Sequence, residues 1–255
     1  MTEDRRQEIG EDATGGSRRS RTLRCDTITL SHGSGGKAMR DLIEDLFVAT
    51  FDDPELDALE DQARFDLAAL HAIGDRLAMT TDSYVVDPLF FPGGDIGMLA
   101  VNGTVNDLAV SVAKPLYLSC SVIIEEGLEV EVLHRVTRSM KQAADAAAVH
   151  IVTGDTKVVP RGAADKLFIN TSGIGIIPKG VDIRAERAKP GDVIITNGFI
   201  GDHGAAIAYA RGELALESSI MSDCQPLNSL ISVMLDVCPD IHSLRDATRG
   251  ALRPF

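Results

Sequence analysis

The sequence contains no tryptophan, few other aromatic residues and no long apolar run. Aromatic side chains make up 4% of the 255 residues, and 38 acidic residues outnumber 25 basic ones. A chain with this charge and so few rings offers neither an electropositive field nor a stacking surface for nucleic acid. No stretch reaches the roughly 20 apolar residues that a membrane-spanning helix needs. We therefore expect no nucleic-acid partner and no membrane span.

Cysteine is also scarce, and its spacing excludes the common metal and disulfide motifs. The four cysteines lie far apart, without a Cys-x-x-Cys pair or a zinc-finger arrangement of Cys and His. Cys120 lies inside the apolar run PLYLSCSVII and is expected to be a small core residue. We predict free thiols and a cytoplasmic protein.

The composition changes twice along the chain, which suggests three parts. Residues 1–26 are rich in arginine and acidic residues and poor in large apolar ones, which predicts a disordered tail. Residues 27–177 mix short β-branched runs with segments of helical periodicity, as expected of a folded α/β domain. A connector rich in proline, glycine and charge follows Ile177, so residues 178–255 are predicted to belong to a second domain.

The pattern of apolar residues predicts a mixed α/β fold. Predicted strands are Arg76–Thr81, Leu116–Ile124, His150–Thr153, Lys166–Ile177 and Asp192–Asn197. Predicted helices are Gly36–Thr50, Ile96–Val112, Glu129–Ala148, His203–Arg211 and Asp223–Val237. The helix over 129–148 has the clearest pattern, because Leu133, Val136 and Met140 recur on one face.

Two loops and one helix carry polar residues that could bind a phosphate. Gly35, Gly36 and Lys37 precede a predicted helix, where glycine amides and a lysine can hold an anion, although a flexible cap is an equal alternative. In the segment TGDTK, Asp155 and Lys157 could hold a cation and a phosphate oxygen, or form a surface ion pair. Asn102 and Asn106 fall on one helix face beside Gly103. The missing side chain at Gly103 would permit a ligand to approach the backbone. Alternatively, neighbouring strands could satisfy the two asparagine amides.

Several aspartates interrupt apolar stretches, where an acid must be paired, hydrogen-bonded or bound to a cation. They are Asp61, Asp82, Asp107 and Asp155. One such residue is most simply a helix cap or turn former. Four together favour a shared Mg²⁺ site with a polyphosphate, since carboxylate oxygens are the ligands that this ion prefers.

The strings SHGSGGKAM, TTDSYVVDPLFFPGGDIG, NDLAVS, VTGDTKVV and RDATRG together resemble the HypE family of hydrogenase maturation proteins, the carbamoyl dehydratases. The resemblance runs from about Thr27 to Gly250. It implies a PurM-like N-terminal domain that dimerises through its sheet, a second α/β domain, and ATP bound between them. It further implies dehydration of a carbamoylated C-terminal cysteine to thiocyanate, with two partners: the carbamoyltransferase HypF and the HypC–HypD iron-carrier complex.

The resemblance also implies roles for particular residues. The ligands of Mg²⁺ and ATP would be four aspartates, Asp61, Asp82, Asp107 and Asp246. Other ATP contacts would come from Gly35, Gly36, Lys37, Asn106, Thr153 and Gly154, and the catalytic residues would be Asp155 and Lys157. These assignments transfer the family's motifs to the matching positions of this sequence.

This sequence departs from the family at its end. Family members continue past RDATRG to a terminal acceptor cysteine, whereas this chain reads RGALRPF. We therefore expect an incomplete second domain and no acceptor thiol, since Cys238 matches no family acceptor. The alternative function is a non-catalytic module that dimerises or binds the carbamoyltransferase. A selenophosphate synthetase is disfavoured, because Cys25 precedes the glycine-rich loop by several residues.

Overall fold

The structure, a computed structural model, describes Leu23, residues 25–214 and residues 220–248. Most of the predicted tail lies outside the described residues. Leu23 is buried, and Cys25 packs against the same core. The backbone carbonyl of Asp26 accepts a hydrogen bond from Val130. The packed chain therefore begins before Thr27.

Residues 37–177 form helices and strands in mixed order. The helices are α1 (Lys37–Leu42), a π-helical stretch (Ile43–Val48), α2 (Ala49–Phe51), α3 (Pro54–Asp57), α4 (Leu67–Ile73), α5 (Ile96–Val110) and α6 (Val130–Ala147). The strands are β1 (Arg76–Tyr84), β2 (Phe90–Phe91), β3 (Gly94–Asp95), β4 (Lys114–Glu125), β5 (His150–Val159) and β6 (Leu167–Ile177). Helices α7 (Asp202–Ala210) and α8 (Asn228–Val237) follow. The predicted mixed α/β fold is confirmed.

Four strands form the main sheet in the order β1-β6-β4-β5. β6 pairs antiparallel with both β1 and β4, whereas β5 pairs parallel with β4. A parallel pair needs a long crossover connection, which α6 supplies between β4 and β5. β1 and β5 are therefore the two edges of the sheet.

Helices α5 and α6 cover one face of this sheet and form the core with it. α5 begins where the Asp95 carboxylate accepts hydrogen bonds from the amides of Gly97 and Met98. α6 follows the predicted stripe, with Leu133 and Met140 fully buried. α5 is apolar on more than one side because it packs against the sheet, α6 and α8 together.

One predicted strand does not form. Residues 192–197 are coil, and Val193 and Ile194 are each 82% exposed. A β-branched run becomes a strand only where a neighbour satisfies its backbone groups, and residues 178–214 and 220–248 contain no strand. The prediction of a strand at Asp192–Asn197 was therefore wrong.

The opposite face of the sheet is open. Leu77 and Met79 on β1 are 61% and 69% exposed, and Ile123 on β4 also faces outward. A polar row lies beside these side chains, where Ser172 Oγ donates to Thr81 Oγ1 at 2.8 Å. Within the described ranges, no helix has the length and apolar character needed to cross a bilayer.

Replacing Leu133 by alanine should lower the free energy of unfolding by about 2–5 kcal/mol, because it leaves a cavity between α6 and the sheet. The matched control is Gln142→Ala on the exposed side of the same helix, expected to change stability by less than about 0.5 kcal/mol. Chemical denaturation measures both. Equal effects of the two substitutions would contradict the packing of α6.

Candidate functional site

A chain of buried hydroxyl groups fixes α5 against two strands. Tyr84 Oη lies 3.2 Å from Thr104 Oγ1, which lies 2.6 Å from Thr171 Oγ1. Thr171 Oγ1 donates in turn to the backbone carbonyl of Ala100 at 2.8 Å. Because Tyr84 is on β1, Thr171 on β6 and Thr104 on α5, the three side chains set the position of the helix on the sheet.

Two of the predicted aspartates lie beside this chain of hydroxyls. Asp107 on α5 accepts a hydrogen bond from Thr80 Oγ1 at 3.0 Å. Asp82 alternates with Thr80 and Tyr84 on the inner face of β1, and both aspartates are half-buried. Burial raises the pKa of the Tyr84 phenol, and the nearby carboxylates of Asp82 and Asp107 raise it further. The two acids therefore share one local environment.

Gly103 lies where the helix comes closest to β1. A Cβ atom added there would collide with the Tyr84 hydroxyl. The sequence suggested that a ligand approaches the backbone at Gly103. In the structure the Tyr84 side chain occupies that space, which explains why the position carries a glycine.

The four predicted magnesium ligands do not form one cluster. Across the described part of the chain, no three Asp, Glu, His or Cys side chains lie close enough together to hold a metal ion. Asp61 is exposed on the loop between α3 and α4, and Asp246 lies in the coil after α8. These two residues lie on neither β1 nor α5, and the assignment of all four aspartates to one magnesium site stays a prediction.

The TGDTK segment lies within the edge strand β5 rather than after it. Thr153, Asp155 and Lys157 alternate onto the outer face of the sheet, with Gly154 between them. Asp155 Oδ1 accepts hydrogen bonds from the Thr156 amide at 2.9 Å and from Lys157 Nζ at 3.0 Å. The side chains of Asp155 and Lys157 are 56% and 62% exposed, so this ion pair adds little stability.

The glycine-rich arm, residues 31–37, starts beside that segment. His32 is buried, and its Nδ1 accepts a hydrogen bond from the Thr29 amide at 3.0 Å. A Cβ atom on Gly33 would lie 2.9 Å from Cβ of Val158, next to Lys157. The fold thus brings the base of the arm to the outer edge of β5, although the two segments are far apart in sequence.

The exposed end of the arm borders an open cavity. Gly35, Gly36 and Lys37 line a space of about 420 Å³ together with Met39, Arg40 and Ile43. Lys37 forms an ion pair with Asp41 one turn further along the helix. Gly35, Gly36 and Lys37, the predicted phosphate-binding residues of the arm, therefore all border the same open space.

Asn106 is used inside the chain. Its Nδ2 donates to the Gln225 carbonyl at 3.0 Å, and its Oδ1 accepts from the Leu227 amide at 2.8 Å. These contacts give Asn106 a structural role, while each amide group keeps one further hydrogen-bonding position. The predicted role of Asn106 as an ATP contact stays a prediction.

Sequence reasoning missed the residues that hold the acids in place. Thr80 and Tyr84 share the inner face of β1 with Asp82, so the period of two along TTDSY was an available signal. Thr171 carried no such signal, because its role depends on the pairing of β6 with β1.

Comparison with known proteins shows extensive similarity to one family. Residues 64–177 match the family described as AIR synthase related protein, N-terminal domain. Carbamoyl dehydratase HypE of Rhodobacter capsulatus is 57% identical over 230 residues, which cover 90% of this chain and 67% of that protein.

Two solved structures are similar in fold and sequence. The crystal structure of hydrogenase maturation protein HypE in complex with ATP has a TM-score of 0.82 and 52% identity, covering 87% of this chain and 64% of that one. The crystal structure of a HypE–HypF complex has a TM-score of 0.67 and 49% identity, covering 82% of this chain and 66% of that one. This chain therefore spans about two thirds of the length of these relatives.

Gly103→Ala should destabilise the protein by about 1–3 kcal/mol, because the new methyl group meets the Tyr84 hydroxyl. Tyr84→Phe removes that hydroxyl, so the double variant should lose less than the sum of the two single variants. The matched control is Gly204→Ala in α7, where nothing lies within 4 Å and no loss is expected. Strict additivity in thermal unfolding would contradict the contact.

Proposed function

Because the chain belongs to the HypE family of hydrogenase maturation proteins, we propose that it binds ATP with Mg²⁺ and serves as a carbamoyl dehydratase in nickel–iron hydrogenase maturation. In the reaction of that family the substrate would be a carbamoyl group on a C-terminal cysteine thiol, which the sequence ending RGALRPF does not contain, and the product would be a thiocyanate. ATP would supply the phosphoryl group that turns the carboxamide oxygen into a leaving group. The observation that carries the proposal is the placement of Asp82 on β1 and Asp107 on α5, both near Tyr84, in a chain 57% identical to a carbamoyl dehydratase.

The two aspartates suit Mg²⁺ better than four would. Magnesium bound with a nucleotide usually takes one or two protein carboxylates and keeps phosphate and water oxygens as its other ligands. Asp82 and Asp107 are half-buried on one face, and Thr80 orients one oxygen of Asp107. Two carboxylates in one partly buried environment repel each other, and a divalent cation removes the repulsion. We assign the magnesium contacts to these two residues.

Asp155 and Lys157 are the proposed catalytic residues. An ammonium group can bind a phosphate oxygen, and a carboxylate can accept a proton from the carboxamide nitrogen as the phosphorylated oxygen leaves as phosphate and the carbon–nitrogen triple bond forms. Both side chains project from an edge strand into solvent, where a substrate can reach them. The buried base of the glycine-rich arm lies against the neighbouring Val158, so Gly35, Gly36 and Lys37 extend from the same edge.

The proposed partners follow the same family. A HypE forms a complex with HypF in a solved structure, and we propose HypF as the carbamoyltransferase partner of this protein. The HypC–HypD iron-carrier complex is the proposed acceptor of the cyanide. The open sheet face, with Leu77 and Met79 exposed, is the proposed surface of a homodimer.

Asp107→Asn should weaken binding of ATP in the presence of Mg²⁺ by about tenfold or more, equivalent to about 1.4 kcal/mol. The substitution keeps an oxygen that can accept from Thr80 but removes the charge that the ion requires. Isothermal titration calorimetry measures the affinity, and Asp236→Asn on the exposed side of α8 is the control that should bind normally. Unchanged affinity in the Asp107 variant would overturn the magnesium assignment.

Met79→Asp should convert a homodimer into monomers, because a charge would be buried in the apolar part of the open sheet face. Light scattering after size-exclusion chromatography gives the mass. Val237→Asp is the control, since Val237 is 80% exposed on α8 and away from the sheet. A mass that both substitutions leave unchanged would exclude this face as the dimer surface.

A further inference from the structure

The segment 222–228, here called the docking segment, crosses α5 on the side that carries Asn102 and Asn106. These two asparagines are four residues apart and so lie on one face of the helix. Asn106 makes two hydrogen bonds to the docking segment, one as donor to Gln225 and one as acceptor from Leu227. Asn102 Nδ2 contacts Cys224 Sγ at 3.5 Å.

Both ends of the docking segment are fastened to residues 37–177. The Ser222 amide donates to the Pro92 carbonyl at 2.8 Å, in the turn between β2 and β3. A Cβ atom on Gly93 would lie 2.6 Å from the Ser222 nitrogen, so the two backbones touch. At the other end, Asn228 Nδ2 donates to the Ala147 carbonyl at the end of α6, at 2.8 Å.

The contacts differ in strength along the docking segment. Asn102 is only 2% exposed, and its Oδ1 has no hydrogen-bond partner among the described residues. Its contact to Cys224 is weak, because sulfur is a poor hydrogen-bond partner. Asn106 satisfies both of its amide groups with backbone atoms at normal distances. The attachment of the docking segment to α5 therefore depends mainly on Asn106.

Asn106 immediately precedes Asp107 on the same turn of α5. One residue faces the docking segment and the next faces Thr80 on β1. A movement of the Asn106 side chain away from the docking segment would break both backbone hydrogen bonds and leave the Gln225 carbonyl and the Leu227 amide to find other partners.

We propose that Asn106 is a positioning residue that docks the segment 222–228 onto α5, and that docking and ATP binding stabilise each other. The coupling rests on the proposed function, since it assigns Asp107 to the magnesium ion of ATP. Asn106 and Asp107 share one helical turn, so ordering of the nucleotide at Asp107 also orders the attachment point of the docking segment. Such coupling is reciprocal: docking raises ATP affinity by the same factor by which ATP favours docking.

Hydrogen exchange of the Leu227 amide tests the docking without any nucleotide. In the ATP-free full chain, Asn106→Ala should speed this exchange by about tenfold, since it removes the hydrogen-bond acceptor. Asn106→Asp keeps an oxygen acceptor and should preserve most of the protection, which guards against a variant that merely misfolds. Asn197→Ala, in an exposed coil, is the control that should leave the Leu227 rate unchanged.

Addition of ATP and Mg²⁺ tests the coupling. In the unsubstituted chain we expect the Leu227 amide to exchange about fivefold or more slowly with nucleotide bound, and in Asn106→Ala we expect ATP affinity to fall by the same factor. If Asn106→Ala loses ATP affinity but its Leu227 amide exchanges at the unsubstituted rate, Asn106 is a nucleotide ligand and the proposal is overturned. If the unsubstituted chain binds no ATP, the proposed function and the coupling both fail, while the ATP-free exchange still decides the docking.

Discussion

The position of α5 on the sheet depends on a buried chain of hydrogen bonds from Tyr84 through Thr104 and Thr171 to the Ala100 carbonyl. Buried polar groups of this kind are costly unless every member finds a partner, so the network permits few arrangements of helix and strands. Every proposed role on α5 depends on this constraint. With α5 in this position, Asp107 faces Thr80 and Asn106 faces the docking segment.

The proposed metal-binding and catalytic residues lie at different parts of the sheet. On its inner face, half-buried acids lie close to one another beside α5, which suits a divalent cation. Its outer edge carries Asp155 and Lys157, exposed on β5 and next to the base of the glycine-rich arm. A nucleotide bound by both groups has to pass the edge of the sheet.

Local sequence patterns predicted most of the fold of residues 37–177. The stripe on α6 and the β-branched runs of β4 and β6 predicted these elements to within a few residues, because burial on one face leaves a periodic signal. The same logic failed at residues 192–197, where apolar residues alone could not form a strand without a neighbouring strand. The extent of β5 was underestimated because Gly154 and Asp155 are uncommon in strand interiors.

The site was harder to predict, since a side chain's neighbours depend on contacts distant in sequence. Asp61 and Asp246 resemble family ligands locally, yet the fold places neither on β1 or α5. The most direct test of the account replaces Mg²⁺ by paramagnetic Mn²⁺ with ATP and maps the broadening of backbone amide signals. The account predicts broadening centred on residues 80–84 and 103–107, with residues 59–62 spared. Broadening centred on Asp61, or none near β1 and α5, would contradict it.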